Sequence, residues 1–214
     1  MELQTEKLDK KEQIMDAAQA LFAAQGYEGT SVRDICQQAG VNVAMVNYYF
    51  GSKEGLFEKM VEHKASFMRG TLEELLGNTE LTPIEKVDHI IGIFVERMFS
   101  HRDFTLTVSR EMSKSNRQPV HGMMAAVFFR NMSLLKQIIE EGIRTRQFRK
   151  VDTDLCIPTI YGTISNLISA ELMLKMIDPD LNATENLYDD PVFRKRVITH
   201  LRSVMRHHLL KESA

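Results

Sequence analysis

Apolar residues recur three or four positions apart along most of this chain of 214 residues, which is the spacing of one face of an α-helix. No stretch shows the strict alternation of apolar and polar residues that favours a strand. The first helical segment is predicted over 8–25, with Gly26 as its C-terminal stop. Its apolar face contains Ile14, Ala17, Ala18, Leu21 and Phe22. The pattern predicts an all-α protein.

Two shorter helices follow the first one. Thr30 and Ser31 offer a cap for a helix that ends at Gly40, and Asn42 can cap the next helix. The inward-facing positions are predicted to be Val32, Ile35, Cys36 and Ala39 in the former helix, and Val46, Tyr49 and Phe50 in the latter. A longer helix followed by two short helices with a glycine-containing turn is the helix-turn-helix arrangement, whose second short helix fits the DNA major groove.

The outer face of the third helix is the candidate surface for reading bases. Asn47 can pair with adenine, while Ala44 and Met45 offer apolar contact to thymine methyl groups. The hydroxyl groups of Tyr48 and Tyr49 can reach phosphates. The candidate DNA-binding residues of this stretch are Asn42, Val43, Ala44, Met45, Asn47, Tyr48 and Tyr49.

Two further positions are candidates for contact with the DNA backbone. Ser52 can cap a fourth helix, which places Lys53 in its first turn, where a cation and free backbone N–H groups together suit a phosphate. Ser31 and Arg33 at the start of the second helix offer a further anion site, and Arg33 can also reach a guanine.

The stretch GTSVRDICQQAGVNVAMVNYYFGSKEGLF, residues 29–57, resembles the DNA-binding domain of the TetR family of bacterial transcriptional regulators. Three pieces of the family pattern occur in order. They are the Thr-Ser-Val-Arg-Asp-Ile helix start, the Ala-Gly-Val turn and the Tyr-Phe-Gly-Ser-Lys-Glu junction. Asn47 stands where the family commonly has an aromatic residue.

The resemblance implies a transcriptional regulator, and more specifically a repressor that binds a palindromic DNA operator as a homodimer and is released by a small molecule. It implies a helix-turn-helix domain over 1–56 and a larger helical domain over 57–214 that binds the effector and dimerises. About nine helices are expected in all. In the family, the dimer forms through the last two helices.

The rest of the chain supports that architecture with further helical segments. Their predicted spans are 53–76, 83–100, 103–114, 118–147, 153–177 and 191–211. The apolar positions of the last two are Leu155, Ile160, Ile164, Leu167, Ile168 and Leu172, then Val197, Leu201, Val204, Met205 and Leu209. Such faces suit a four-helix dimer interface or the core of a single chain.

Large apolar side chains of the second domain are candidates for lining an effector pocket. They are Phe94, Met98, Met112, Met123, Met124, Phe128, Phe129 and Tyr161. The 13 methionines of the chain would make such walls adaptable. Packing in the core is the alternative explanation at each of these positions.

Charge sets a constraint on DNA binding. The whole chain has a formal net charge of -2, and residues 1–56 carry five basic against eight acidic side chains. Residues 31–53 contain two basic residues and one acidic residue, Asp34, so the local net charge is positive. Because DNA affinity depends on phosphate neutralisation, we expect modest non-specific affinity, with backbone amides and hydroxyls making many phosphate contacts.

Other classes of protein receive little support from the sequence. Cys36 and Cys156 lack metal-ligand spacing, and no apolar N-terminal segment or run of 18 apolar residues occurs, so we expect a cytoplasmic protein without membrane contact. No Glu-x-x-His pair, phosphate loop or nucleophile elbow occurs, so we expect no enzyme, metal or cofactor. A helical adaptor that binds a protein partner without reading DNA is the alternative function.

Overall fold

A computed structural model describes residues 2–113, 119–184 and 186–211. The α-helices of these residues are α1 Glu2–Gly29, α2 Val32–Ala39, α3 Val43–Phe50, α4 Lys53–Gly77, α5 Pro83–Ser100, α6 Arg102–Met112, α7 Pro119–Arg144, α8 Thr153–Ser169, α9 Glu171–Ile177 and α10 Pro191–Leu209. Short 3-10 helices span Pro179–Ala183 and Leu187–Asp189. The described residues form no strand beyond an isolated bridge between Phe148 and Leu210. The predicted all-α class is confirmed.

The chain divides into two compact units. Unit 1 consists of Met1–Phe67 and Leu106–Phe129, and unit 2 consists of Met68–Thr105 and Arg130–Ala214. The divisions fall inside α4, α6 and α7. The domain boundary that the sequence analysis places after residue 56 differs from this division and stays a prediction.

The core of unit 1 centres on three aromatic rings. Phe22, Tyr27 and Phe57 are buried, and their ring centroids lie 5.1 to 5.4 Å apart. The two rings of α1 meet the ring of Phe57 edge-on, at 78° and 66°, an arrangement that aromatic quadrupoles favour. Ile35 of α2 and Val46 of α3 are completely buried in the same unit. These contacts hold the helix-turn-helix against α1 and α4.

The core of unit 2 is formed by the apolar faces of α5, α7, α8 and α10. Its buried members include Ile90, Ile91, Phe94, Phe99, Leu135, Ile138, Ile139, Ile160, Ile164, Ile168, Val197, Leu201 and Met205. Lys86 is also buried, and its ammonium donates to the Glu141 carboxylate at 3.0 Å and to the Leu76 carbonyl oxygen at 3.3 Å. This pairing offsets the cost of burying a charge.

Most predicted helix bounds agree with the structure to within three residues. Helix α5 has the predicted span 83–100, and α4 ends one residue beyond the predicted 76. Helix α1 differs more, because it begins at Glu2 and continues to Gly29. It is interrupted at the predicted stop, Gly26, where φ is 76° and ψ is 167°. Within the described ranges, none of the helices has both the length and the apolarity needed to cross a bilayer.

The helix predicted over 153–177 is wrong as a single element. It forms α8 and α9, which are separated at Ala170, where φ is −113° and ψ is 34°. The Tyr188 hydroxyl donates to the Leu167 carbonyl oxygen at 2.9 Å, the acceptor that the Glu171 amide would use in a continuous helix. A side chain inserted in this way breaks the hydrogen-bond ladder. The described residues therefore contain ten α-helices instead of the predicted nine or so.

The substitution Gly142→Ala is expected to destabilise unit 2. A methyl group on Gly142 would overlap the ring of Phe148, which is buried against it. We expect the free energy of unfolding in urea to fall by about 1–3 kcal/mol, the usual cost of overpacking. Gly70→Ala in α4 is the control, because nothing lies within 4 Å of the added methyl. This control should gain about 0.5–1 kcal/mol from helix propensity, and equal stability of the two variants would contradict the prediction.

Candidate nucleic-acid interface

Helix α2 begins with a capping box. The Ser31 hydroxyl oxygen accepts the Asp34 amide at 3.2 Å, and the Asp34 carboxylate accepts the Ser31 amide at 3.0 Å and its hydroxyl at 2.6 Å. These bonds satisfy amides at the exposed start of the helix. They also hold the pKa of the Asp34 carboxyl below its ordinary value, with the bond from the Ser31 hydroxyl as the main cause.

The capping box bears on the anion site predicted at Ser31 and Arg33. The Asp34 carboxylate already occupies the N-terminus of α2, so a phosphate there would meet a negative charge. The Arg33 side chain is exposed and remains the cationic group of this site. Both DNA contacts stay predictions, with Arg33 favoured over the helix terminus.

The turn between α2 and α3 sets the direction of the third helix. Gly40 caps α2 with φ 62° and ψ 36°, a left-handed conformation that glycine adopts without strain. Asn42 then caps α3, since its side-chain oxygen accepts the Met45 amide at 2.9 Å. The sequence predicts Asn42 both as this cap and as a DNA-binding residue, and the structure gives it the first role.

The outer face of α3 is exposed and uncharged. The exposed positions are Val43, Ala44, Asn47 and Tyr48, and Met45 is half-buried on the flank. Tyr48 is 74% exposed, which is unusual for an aromatic side chain without a partner surface. Val46 on the opposite side is completely buried and fixes this orientation. The surface can therefore approach the edges of base pairs closely.

Tyr49 and Phe50 depart from the inward-facing prediction, because both are half-buried. Their rings pack along the edge of α3, with the Tyr49 centroid 5.1 Å from that of Tyr48 and 6.2 Å from that of Phe50. The Lys11 ammonium lies 5.5 Å from the Tyr49 ring centroid. Tyr49 thus borders the exposed surface, and contact of its hydroxyl with a phosphate stays a prediction.

Two glycines are required where α3 meets α4, namely Gly51 in the turn and Gly55 in the first turn of α4. Gly51 has φ 76°, and its amide donates to the Asn47 carbonyl oxygen at 2.9 Å. A Cβ atom on Gly55 would overlap the Phe50 carbonyl oxygen. Ser52 caps the first turn of α4 as predicted, because its hydroxyl oxygen accepts the Gly55 amide at 3.1 Å. Gly51, Ser52 and Gly55 together hold the end of α3 close to the start of α4.

Lys53 has a structural partner that the sequence did not predict. Its ammonium donates to the carbonyl oxygens of Tyr27 at 2.9 Å and Thr30 at 3.0 Å, and lies 4.2 Å from the Tyr27 ring centroid. These carbonyls stand at the junction of α1 and α2. Of the three N–H donors of an ammonium, two are engaged here, so one is left for a phosphate. The phosphate contact stays a prediction.

The candidate effector residues are placed in both units. Phe94 in unit 2 and Met124 in unit 1 are buried, whereas Met112 and Phe129 are exposed. Met98, Met123, Phe128 and Tyr161 are half-buried. An effector contact remains a prediction for each of them.

Unit 2 contains a cavity that the sequence did not indicate. Its volume is about 550 Å³, and its lining includes Lys86, Glu140, Glu141 and Arg144. These residues come from α5 and α7, so no local motif brings them together. None of the candidate effector residues lines it.

Comparison with known proteins gives consistent matches. The family model described as "Bacterial regulatory proteins, tetR family" matches residues 14–60. The probable HTH-type transcriptional regulator YttP of Bacillus subtilis (strain 168) is 28% identical over 209 residues, which cover 94% of this chain and 96% of YttP. The fatty acid metabolism regulator protein of the same organism is 26% identical over 172 residues, which cover 78% of this chain and 86% of that protein.

A solved structure agrees at the level of the fold. The transcriptional regulator FadR from Bacillus subtilis, in complex with stearoyl-CoA, gives a TM-score of 0.70 at 23% identity. The match covers 89% of this chain and 97% of FadR. The arrangement of helices is therefore shared along nearly the whole chain.

A capped recognition helix with an exposed, uncharged face, in a chain whose other unit is also all-helical, defines a DNA-binding transcriptional regulator. Residues 14–60 match the TetR family of bacterial regulators, and the similarity to a regulator extends along 94% of the chain. Regulators of this family bind DNA operators, dimerise and bind small molecules.

The substitution Lys53→Met is expected to destabilise unit 1, because the carbonyl oxygens of Tyr27 and Thr30 lose a charged donor. We expect a loss of about 1–3 kcal/mol in the free energy of unfolding. Lys59→Met in the same helix is the matched control, since Lys59 is 60% exposed and forms a surface ion pair with Glu62. This control should change stability by less than about 0.5 kcal/mol.

The same two lysine variants also test the phosphate contact. If Lys53 touches a phosphate, its variant lowers the slope of log K against log salt for DNA by about 0.9. An unchanged slope with reduced stability leaves Lys53 a structural role only. If Lys53→Met is as stable as Lys59→Met, the structural role is contradicted.

The two roles of Asn42 can be separated by two substitutions. Asn42→Ala removes the cap of α3 and should cost about 1 kcal/mol of stability, whereas Asn42→Ser retains a capping oxygen. We expect Asn42→Ser to keep both stability and operator affinity, measured by thermal melting and fluorescence anisotropy. If Asn42→Ser keeps the stability but loses the affinity, the amide itself contacts DNA.

Proposed function

We propose that this protein is a homodimeric repressor that occupies a palindromic operator and is released by a small molecule. The observation that carries the proposal is the exposed face of α3, which is capped by Asn42, anchored by Val46 and free of charged residues. In a helix-turn-helix protein this element enters the major groove. A cytoplasmic location accompanies this function.

Base reading is assigned to the centre of α3. Asn47 is exposed and has an amide that can form two hydrogen bonds with adenine. Ala44, one turn earlier, is small enough to let the helix approach a thymine methyl group. Tyr48 and Tyr49 of α3 and Arg33 of α2 are assigned to the backbone.

The homodimer is assigned to the outer faces of α8 and α10. Ile160, Ile164 and Ile168 of α8 are buried within unit 2, so they belong to the core of the single chain. Among the exposed residues, Leu155 of α8 and Val204 of α10 remain as apolar contacts for a second copy. Two copies supply the two reading helices that a palindromic site requires.

A small-molecule effector is supported by the relatives. The Bacillus subtilis FadR structure contains stearoyl-CoA, and the helices of this chain follow the same fold. The buried Phe94 and the half-buried Met98 and Tyr161 of unit 2 offer adaptable apolar contacts for an effector of unassigned chemistry. Because α4 runs from unit 1 into unit 2, a shift of this helix on effector binding would change the separation of the two reading helices.

Selection of bound duplexes from a random DNA pool tests the proposal. We expect the full-length protein to enrich a palindrome, and Asn47→Ala to lose preference at one base pair in each half-site. The loss should be about 1–3 kcal/mol per contact. Gln25→Ala in α1, which also removes an exposed amide, is the control and should select the same sequence as the unsubstituted protein.

Two outcomes would contradict the proposal. If folded protein enriches no sequence, an adaptor that binds a protein partner becomes the better explanation of the helical surfaces. If Asn47→Ala and Gln25→Ala select identical sequences, base reading does not depend on Asn47.

A further inference from the structure

The cavity of about 550 Å³ in unit 2 is lined mainly by polar residues. It lies where the end of α4 and the start of α5 meet the last turns of α7. Among the described residues that line it, Leu76 is the only apolar one. The volume is within the range of small-molecule sites, about 300–1,000 Å³. The lining predicts a polar ligand, unlike the apolar residues proposed for the effector.

The buried side of the cavity is formed by a charge pair that satisfies itself. Lys86 is 2% exposed, and its ammonium donates to the Glu141 carboxylate at 3.0 Å and to the Leu76 carbonyl oxygen at 3.3 Å. The Lys86 amide donates to the Thr82 carbonyl oxygen at 3.0 Å, in the first turn of a helix that begins with a capping box. Lys86 and Glu141 therefore neutralise each other in a fixed wall.

The exposed side of the cavity carries two opposite charges that are not paired. Glu140 and Arg144 stand at i and i+4 on α7, the spacing and order at which an acidic and a basic residue stabilise a helix. Within the described residues, neither of them takes part in an ion pair. Lys136, one turn before Glu140, pairs with Asp154 at 2.6 Å. Glu140 and Arg144 thus remain available to a ligand.

Two side-chain amides of the lining also keep part of their hydrogen-bonding capacity. The Asn78 oxygen accepts the amides of Glu80 at 2.8 Å and Leu81 at 3.3 Å, which leaves its NH₂ group as a donor. The Gln137 NH₂ group donates to the Ser133 carbonyl oxygen at 3.2 Å, which leaves its oxygen as an acceptor. The cavity therefore offers one donor and one acceptor besides its two unpaired charges.

The charges of the lining decide which ligand fits. A simple anion at Arg144 would also meet the carboxylates of Glu140 and Glu141, and a simple cation at Glu140 would meet Lys86 and Arg144. A molecule that carries one charge of each sign avoids both repulsions. Its two charged groups need to span one helical turn, about 5–6 Å between the Cβ atoms of Glu140 and Arg144.

We propose that this cavity binds a small zwitterion, an amino acid or a short peptide, whose ammonium meets Glu140 and whose carboxylate meets Arg144. The site goes beyond the proposed function, because none of the apolar candidates for the effector lines it. Its parts come from α4, α5 and α7, so the ligand would contact three helices of unit 2 at once.

Isothermal titration calorimetry of the full-length protein tests the proposal. The probes are the proteinogenic L-amino acids and the glycyl dipeptides made from them, each titrated separately. We expect at least one probe to bind with a dissociation constant below about 1 mM. The ratio between the constants of a free amino acid and its dipeptide shows which of the two the cavity takes. If no probe binds to the folded protein, the proposal is overturned.

Glu140→Gln and Arg144→Gln each remove one charge from the lining. Both residues are exposed, so the fold should be retained, whereas the buried Lys86 is left unchanged. Each variant should raise the dissociation constant of the best probe about tenfold, as expected for the loss of a charged hydrogen-bond partner. Arg146→Gln is the control and should leave the constant unchanged, because Arg146 is exposed close by and does not line the cavity.

Two truncated forms of the best probe assign its two ends. The amine without the carboxylate should bind Arg144→Gln as well as the unsubstituted protein, and the acid without the ammonium should be equally insensitive to Glu140→Gln. If both variants bind the intact probe with unchanged affinity, the probe lies elsewhere and the proposal is overturned. Equal affinity for the acid and the intact probe would contradict it as well, since the cavity would then take a simple anion. These titrations contain no DNA, so their failure leaves the proposed repressor unaffected.

Discussion

The Lys53 ammonium, held by the carbonyl oxygens of Tyr27 and Thr30, joins the start of α4 to the junction of α1 and α2. Only Gly51 and Ser52 separate this lysine from the end of α3. This charged side chain and the two-residue turn therefore add to the α2–α3 turn and the buried Val46 in orienting the reading helix. The Tyr27 ring beneath the ammonium belongs to the aromatic core of unit 1, so the polar junction and the apolar core support each other.

Local signals in the sequence predict the elements well, and long-range contacts explain what they miss. Gly40 and Asn42 mark the ends of α2 and α3 through their own backbone and side-chain chemistry, which a sequence displays directly. The break at Ala170 depends instead on Tyr188, a residue far along the chain, and alanine itself favours helix. The sequence identifies Lys53 as a candidate phosphate contact, but its carbonyl partners belong to another element. The candidate reading face is predictable because it follows from helical periodicity alone.

The acidic balance of the N-terminal region is compatible with DNA binding because of where the charges lie. Asp34 is committed to the Ser31 cap, and the hydrogen bond from the Ser31 hydroxyl lowers the pKa of its carboxyl. The exposed centre of α3 carries no charge, and the basic residues Arg33 and Lys53 lie in the first turns of the helices before and after it in the sequence. Because few cations are available to attract phosphates, we expect affinity to depend on polar contacts to the backbone and specificity on contacts to base edges in the major groove.

The break between α8 and α9 changes which surface Leu172 belongs to. Ile160, Ile164 and Ile168 recur every four residues and are buried in unit 2, and Leu172 is the next member of that series. In a straight helix it would continue the buried row. The Tyr188 hydroxyl interrupts α8 at the Leu167 carbonyl, and Leu172 becomes 77% exposed. A residue withdrawn from the core of its own chain no longer contributes the free energy that its burial there would supply.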